Sequence, residues 1–199
     1  MKKIMFSDKY GLTQAVLDGR KTMTRRIIGS RLMKDAFAFF DRGEGFVDDY
    51  LIAHASYKVG EEVAIAQSYG SFLELYDTKY SEKSNNMGWS DHLCMHVINT
   101  KGYYNKMYVR AELMPRRIRI TSIKVERLQD VYEEDCLREG IETWMGGYIV
   151  TGIIERGYKS NIYFDNPRDA FAFLIDKISG KGTWEKNPFV FAYEFELIK

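Results

Sequence analysis

The chain has 199 residues, 45% of them hydrophobic and 15% aromatic, so it is long enough to bury one sizeable core. Only 3 prolines and 29% charged residues argue against a disordered chain. Its two cysteines, Cys94 and Cys136, are too few for a disulfide framework, and no stretch has the apolar length of a signal peptide or a membrane-spanning helix. We therefore predict one cytoplasmic domain over residues 1–199, with no membrane partner.

Positive charge is concentrated in two segments, although the whole chain carries a net charge of only +1. Residues 1–34 contain nine basic and two acidic side chains, and residues 106–127 contain seven basic and two acidic ones. If the fold brings Arg26 close to Arg116, the two segments form a single positive face that attracts phosphates. The alternative is that both segments are solvated surfaces balanced by acidic neighbours.

Most of the predicted elements are strands. Alternating or β-branched apolar residues favour strands, whereas apolar residues at helical spacing favour helices. In chain order, the pattern predicts a strand at 3–6, a helix at 8–18 that Gly19 ends, strands at 22–28, 62–67 and 117–128, helices at 133–139 and 166–179, and a strand at 189–197. Residues 70–106 are long for a structureless loop, so we expect a hairpin or a lid there. The fold class is therefore α+β.

Five stretches resemble one protein family in content and in order. They are residues 17–26 (LDGRKTMTRR), 59–61 (VGE), 114–116 (MPR), 126–141 (ERLQDVYEEDCLREGI) and 187–191 (NPFVF). In these stretches the chain resembles the larger ASCH proteins of bacteria and their phages. The resemblance covers roughly half of the chain and implies a PUA-like mixed β-barrel with flanking helices. The segments without a matching pattern, at about 29–58, 70–106 and 142–165, are then insertions in a single domain.

The resemblance also implies a candidate active site. A small ASCH relative is an amidohydrolase that acts on N4-acetylcytidine, and the residues that match its lysine, threonine and glutamate are Lys21, Thr24 and Glu139. A threonine hydroxyl becomes a nucleophile when a base removes its proton, and a lysine with a depressed pKa is such a base. A glutamate can then carry a proton to the leaving amine. Residues three apart on a regular strand point to opposite faces, so Lys21 and Thr24 converge only if the turn after Gly19 is irregular.

Two other patterns bear on the chemistry. Where larger relatives show Trp-Val-Arg-Glu-Thr-Trp, residues 64–69 read AIAQSY, so two charged positions are neutral here, with Ala66 and Gln67 in their place. His92, Cys94 and His96 share one face if their segment is extended, which is a weak zinc pattern. No fourth ligand is evident, and a half-buried strand explains the same alternation, so we predict no metal and no cofactor.

Two functions from different classes fit these residues. The first is a binding module for nucleic acid, RNA above DNA, or for a modified nucleoside, in a basic cleft beside the turn at residues 19–22. In this function an aromatic side chain stacks on a base, and phosphates are held by Arg20, Lys21, Arg25, Arg26 and Arg116. The second is an amidohydrolase of N4-acylated cytidine. The basic surplus exceeds what one nucleoside requires, which favours the binding module.

Overall fold

The computed structural model describes residues 1–71, 91–155 and 158–198, and within them it divides the chain into two compact units. The first unit comprises residues 1–6, 62–118 and 198–199, and the second comprises residues 7–61 and 119–197. Both contain strands and helices, which confirms the α+β class.

The first unit is built on two parallel strands, β1 (Lys2–Ile4) and β3 (Glu62–Ile65). Beyond β3, the amide of Ile65 donates a hydrogen bond of 2.9 Å to the carbonyl of Arg116, next to the start of β4 (Arg117–Arg127). Helix α4 (Asp91–Ile98) and three short 3-10 turns at 101–103, 106–108 and 111–113 complete the described part of this unit.

Apolar side chains between these elements form the core of the first unit. Its buried members are Ala64, Ala66, Tyr69, Val97, Val109, Ala111 and Met114. A Cβ on Gly102 would lie 2.5 Å from the ring of Tyr69, so glycine is needed where the 3-10 turns pass over that ring. The core therefore fixes the path of the chain between residues 100 and 114.

The second unit contains most of the helices and an antiparallel sheet. Strand β2 (Met23–Ile27) pairs with β8 (Phe189–Ile198), with Thr24 opposite Tyr193 and Arg26 opposite Phe191. The other neighbour of β8 is β4. A separate antiparallel meander consists of β5 (Glu142–Trp144), β6 (Gly147–Glu155) and β7 (Tyr158–Phe164).

The second unit contains six of the described helices, one of which has a side-chain cap at its N-terminus. Their bounds are α1 Leu12–Leu17, α2 Ser30–Asp41, α3 Val47–Ala53, α5 Glu133–Arg138, α6 Pro167–Ser179 and α7 Thr183–Lys186. In α6, the side chain of Asn166 accepts a 2.7 Å hydrogen bond from the amide of Arg168, and Pro167 occupies the first turn. The same helix buries Phe171 and Leu174 in the core.

A glycine allows α1 and the meander to approach closely. Gly152 has a φ of 73° at an irregularity of β6, and a Cβ there would lie 1.7 Å from the carbonyl oxygen of Lys9. No side chain fits in that space, so the loop before α1 lies directly on the strand.

The predicted strands at 3–6, 22–28, 62–67, 117–128 and 189–197 are confirmed to within three residues at their ends. The first helix starts at Leu12 and not at residue 8, because Gly11 adopts a φ of 68° that a helix interior does not tolerate. The predicted hairpin or lid at 70–106 falls partly on residues 72–90, outside the described residues, and residues 91–98 are helical. Helices α2 and α3 and the meander had no predicted counterpart.

The predicted barrel requires a sheet that closes on itself. No strand pairing among the described residues closes a sheet on itself, so the barrel and the PUA-like topology stay predictions. Within residues 1–71, 91–155 and 158–198, no helix has the length and apolarity required to cross a membrane.

Candidate functional site

The turn at residues 19–22 leads the chain from α1 into the interior of the second unit. Gly19 adopts a φ of 76°, and its amide donates to the carbonyl of Val16 at 3.0 Å. The amides of Arg20 and Lys21 both donate to the carbonyl of Ala15 at 2.9 Å. The turn is therefore irregular, as convergence of the site residues requires, and it directs the side chain of Lys21 inward.

Lys21 is buried against the end of helix α5. Its side chain is 2% exposed, and its Nζ donates to Oε2 of Glu139 at 2.7 Å and to the Glu139 carbonyl at 2.6 Å. Burial lowers the pKa of Lys21, and this effect outweighs the opposing attraction of Glu139. Gly140, which follows Glu139, has a φ of 100°, and a Cβ there would crowd Cδ2 of Leu12 at 3.1 Å while making an ordinary contact of 3.5 Å with Cδ of Lys21.

Arg25 lies beside the Lys21–Glu139 pair and joins three carboxylates. Its Nη1 donates to Oε1 of Glu139 at 3.2 Å, its Nε to Oε1 of Glu126 at 2.8 Å, and its Nη2 to Oδ2 of Asp135 at 2.9 Å. Burial by itself lowers the pKa of Arg25, but Glu139, Glu126 and Asp135 together raise it above its usual value. We call Lys21, Arg25, Glu126, Asp135 and Glu139 the buried charge cluster.

Arg138 continues the network toward the surface. Its Nη1 donates to Oδ1 of Asp135 at 3.3 Å, and its Nη2 donates to Oε2 of Glu194 on β8 at 2.7 Å. Cys136, on the same helix, is buried, which raises the pKa of its thiol to about 12. The thiol is therefore a neutral apolar group at physiological pH. Acid–base chemistry in this region then depends on the charged side chains.

Thr24 lies on the face of β2 opposite to Arg25 and the buried charge cluster. Successive side chains of a strand alternate, so Thr24 and Arg26 lie on the face opposite Met23 and Arg25. Thr24 is buried at 5% exposure and lies opposite Tyr193 in the ladder. Of the three predicted catalytic residues, the structure therefore joins Lys21 and Glu139 by hydrogen bonds and places Thr24 across the strand.

A cavity of about 330 Å³ opens on the face of the β2–β8 pair that carries Thr24 and Arg26. We call it the aromatic cavity, because Tyr57, Phe191 and Tyr193 line it together with Arg26, and its apolar wall includes Ile28. The rings of Tyr57 and Tyr193 meet edge to face, with centroids 5.4 Å apart and planes at 74°.

Both tyrosine hydroxyls of the aromatic cavity are held in the neutral form. Burial raises the pKa of Tyr57 against the smaller attraction of Arg26 for the phenolate. Burial also raises the pKa of Tyr193, against the smaller effect of hydrogen bonds from the backbone of Tyr57 and Ser56. A neutral phenol offers one hydrogen-bond donor and an acceptor. The cavity therefore combines aromatic rings with the side chain of Arg26.

The five residues predicted to hold phosphates lie in different environments. Lys21 and Arg25 are engaged in the buried charge cluster, which disfavours direct contact with a phosphate. Arg20 is exposed and pairs with Glu142 at 2.9 Å, whereas Arg26 is half-buried at the aromatic cavity. Arg116 is exposed and belongs to the first unit, so its approach to Arg26 stays a prediction.

The segment with the weak zinc pattern lies on a helix. Residues 91–98 form α4, so the extended geometry assumed for His92, Cys94 and His96 is wrong, and the side chains of His92 and Cys94 lie outside the described residues. Among the side chains that the structure describes, no three His, Cys, Asp or Glu residues come together as metal ligands would.

Sequence reasoning missed two parts of the site. Tyr57 comes from the segment 29–58, where no pattern was recognised, and only the structure brings it to Tyr193. Glu126 and Asp135 stand inside a stretch that matched the family pattern, but their pairing with Arg25 is a tertiary contact. The sequence indicates this pairing only indirectly, because a basic segment that becomes buried needs carboxylates from elsewhere in the chain as counter-charges.

Comparisons with known proteins find no match for this chain. A scan of the sequence against protein-family models finds no match, and neither a search of curated proteins nor a search of solved structures finds one.

Proposed function

We propose that the chain binds a nucleobase or nucleoside, as part of RNA or as a modified nucleoside, in the aromatic cavity, and that it is an ASCH-type, PUA-like protein. The observation that carries this proposal is the arrangement of Arg26, Phe191 and Tyr193 around one concave space. Base-binding sites in proteins combine aromatic faces with a cation and a few polar groups that read the base edge.

The size and chemistry of the aromatic cavity support a ligand of this class. Its volume of about 330 Å³ lies at the lower end of ligand sites, which run from about 300 to 1,000 Å³. A single base with its sugar suits such a space, with a ring of Tyr57 or Phe191 against the base. The guanidinium of Arg26 presents paired donors that match a phosphate or the carbonyl edge of a base.

In this proposal the buried charge cluster has a positioning role. Arg25 ties β2 to Glu126 on β4 and to Asp135 and Glu139 at α5, so the strand is fixed from its inner face. Arg26 follows directly on the outer face and is held at the aromatic cavity by that anchoring. Lys21 and Arg25 therefore act through the orientation of β2 and contribute no phosphate contact.

Nucleoside binding is tested by calorimetric titration of the protein with the common ribonucleosides, their 5′-monophosphates and N4-acetylcytidine. We expect at least one of these to bind, and Arg26→Met to weaken its binding about tenfold or more, because a charge-assisted contact is lost. Arg31→Met is the matched control, since Arg31 is exposed at the start of α2 and lies outside the cavity lining. Equal affinities of wild type and Arg26→Met would remove the aromatic cavity from the function.

A second candidate function is hydrolysis of N4-acylated cytidine, and the lowered pKa of Lys21 in contact with Glu139 is the observation that favours it. In this reaction the neutral amine of Lys21 takes the Thr24 hydroxyl proton as Oγ1 attacks the acyl carbonyl. The C–N4 bond then breaks, cytidine leaves with a proton passed on through Glu139, and water releases the acyl group from Thr24. This mechanism requires the Thr24 hydroxyl to reach Lys21, although Thr24 lies on the opposite face of β2 from the Lys21–Glu139 pair.

Deacylation of N4-acetylcytidine, followed by the change in ultraviolet absorbance, tests the second function. A general base acts when unprotonated, so the rate must rise with pH as Lys21 loses its proton. Thr24→Val must abolish turnover without touching the charge cluster, and Lys21→Arg must do so because a guanidinium keeps its proton. Turnover that survives in Thr24→Val, with thermal unfolding unchanged, would exclude Thr24 as the nucleophile.

A further inference from the structure

Residues 101–110 (KGYYNKMYVR) of the first unit expose aromatic rings to an unusual degree. Tyr104 is 85% exposed, and Met107 and Tyr108 are more than half exposed. The segment forms two of the 3-10 turns, and it belongs neither to the aromatic cavity nor to the buried charge cluster. Large exposed apolar side chains that cluster in one short segment mark an interaction surface more often than scattered ones do. We call residues 101–110 the tyrosine loop.

The charged side chains within the tyrosine loop all have one sign. Lys101, Lys106 and Arg110 lie within the loop, and the chain contains no aspartate or glutamate between residues 92 and 111. Lys3 brings a fourth cation, since its Nζ donates to the carbonyls of Met107 and Val109 at 2.6 and 2.7 Å. The next carboxylate along the chain, Glu112, pairs with the N-terminal amine at 3.3 Å. A basic surface with exposed aromatic rings is complementary to a polyanion that carries flat bases.

The backbone beneath these rings is held in place. The amide of Arg110 donates to the buried Tyr69 hydroxyl at 2.9 Å, and the Asn105 side chain accepts from the amide of Met107 at 2.9 Å. Lys106 donates to the carbonyl of Phe6, and Val109 is part of the core of the first unit. A preorganised loop loses little conformational entropy when a ligand binds.

The exposed rings are also oriented by their neighbours. Tyr103 meets the Tyr104 ring edge to face, with centroids 4.8 Å apart and planes at 84°, so a face of Tyr104 remains available for stacking. The ammonium of Lys101 lies 5.5 Å from the centre of the Tyr108 ring. Each exposed tyrosine therefore has a cation or a second ring close to it.

We infer that the tyrosine loop is a stacking surface for single-stranded nucleic acid. Tyr104 and Tyr108 stack on successive unpaired bases, while Lys101, Lys106 and Arg110 attract the phosphates between them. Duplexes hide their base faces, so the exposed rings select single strands. This surface goes beyond the proposed function, because that function places one base in the aromatic cavity and the tyrosine loop shares no residue with the cavity lining.

Fluorescence anisotropy with a labelled twelve-nucleotide oligouridylate tests the inference. Tyr104→Ala and Tyr108→Ala are each expected to weaken binding about 5- to 100-fold, the usual range for loss of one stacked base, whereas Tyr104→Phe retains it. Arg110→Ala is expected to lower the salt dependence of binding by about one ion. The matched control is Tyr132→Ala, since Tyr132 is 76% exposed in the second unit, outside the tyrosine loop.

The outcomes separate this inference from the proposed function. If Tyr104→Ala lowers oligonucleotide affinity but leaves nucleoside titrations unchanged, the tyrosine loop binds single strands independently of the aromatic cavity. This inference then holds even if no nucleoside binds in the aromatic cavity. Equal affinity of wild type, Tyr104→Ala and Tyr108→Ala overturns the inference, as does equal binding of a duplex of the same length. Tyrosine-dependent binding of polyglutamate in place of RNA also overturns it, because the loop is then a surface for acidic proteins.

Discussion

Residues 20–26 of the second unit and the tyrosine loop of the first unit are both basic, but they differ in what lies opposite their cations. In the first segment, Lys21 and Arg25 are almost fully buried and joined to Glu139, Glu126 and Asp135. In the tyrosine loop, Lys101 and Arg110 are exposed, and the ammonium of Lys101 lies 5.5 Å from the centre of the Tyr108 ring. Two segments that are equally basic in sequence therefore have different roles. The cations of one form ion pairs inside the fold, and the cations of the other lie on the surface.

The difference rests on desolvation. A charge taken out of water is tolerated when carboxylates and hydrogen bonds replace its hydration, and it is then committed to those partners. An exposed charge keeps its water and remains able to exchange it for a phosphate. The comparison teaches that basic residues must be sorted by burial before any of them is assigned to a ligand.

Removing one cation from each segment is expected to give the largest contrast. Arg25→Met leaves the carboxylate of Glu126 without its arginine, and the loss of one partner from a buried ion pair costs about 3–5 kcal/mol of unfolding free energy. Arg110→Met, on the exposed loop, is expected to change stability by less than about 0.5 kcal/mol. Urea unfolding followed by circular dichroism measures both. Similar losses in the two variants would end the distinction between the segments.

A smaller effect is expected from Gly140, the glycine that follows Glu139 and lies close to Leu12. Gly140→Ala places a Cβ 3.1 Å from Cδ2 of Leu12 at a φ of 100°, whereas Gly19→Ala, at a φ of 76°, meets nothing within 4 Å. Each substitution carries the backbone cost of a left-handed residue, about 1–2 kcal/mol. We expect Gly140→Ala to cost about 1 kcal/mol more than Gly19→Ala, because crowding adds to strain. Thermal unfolding of both variants gives the difference, and a reversed order contradicts the close approach.

The smallest effect is expected for the ion pair next to the cluster in sequence. Arg20 and Glu142 are 2.9 Å apart, with side chains 44% and 38% exposed. A double-mutant cycle with alanine at both positions is expected to give a coupling of about 0.2–1 kcal/mol, which falls when salt screens the charges. A coupling above about 2 kcal/mol that is insensitive to salt would mean that Arg20 behaves like its buried neighbour Lys21.

Much of the secondary structure was predictable from local patterns. Strands β2, β4 and β8 follow from alternating or continuous runs of apolar residues, and α6 follows from its helical spacing after Asn166 and Pro167. The meander at 142–164 was missed, although residues 147–154 (GYIVTGII) are rich in β-branched side chains. Its β5–β6 turn depends on positive φ at Met145 and Gly146, which is a weak signal before the strands are known.

The sequence by itself determined strands β1 to β4 and β8 and helices α1, α5 and α6, because helix and strand periods are properties of neighbouring residues, and its resemblance to a family singled out Lys21 and Glu139. Only the tertiary structure decided that they touch, that Arg25 joins them, and that Thr24 lies across the strand. It also decided that Tyr57 and Tyr193 enclose one cavity with Arg26. These facts depend on residues many tens of positions apart, and on the burial that turns a basic residue from a surface charge into an internal partner.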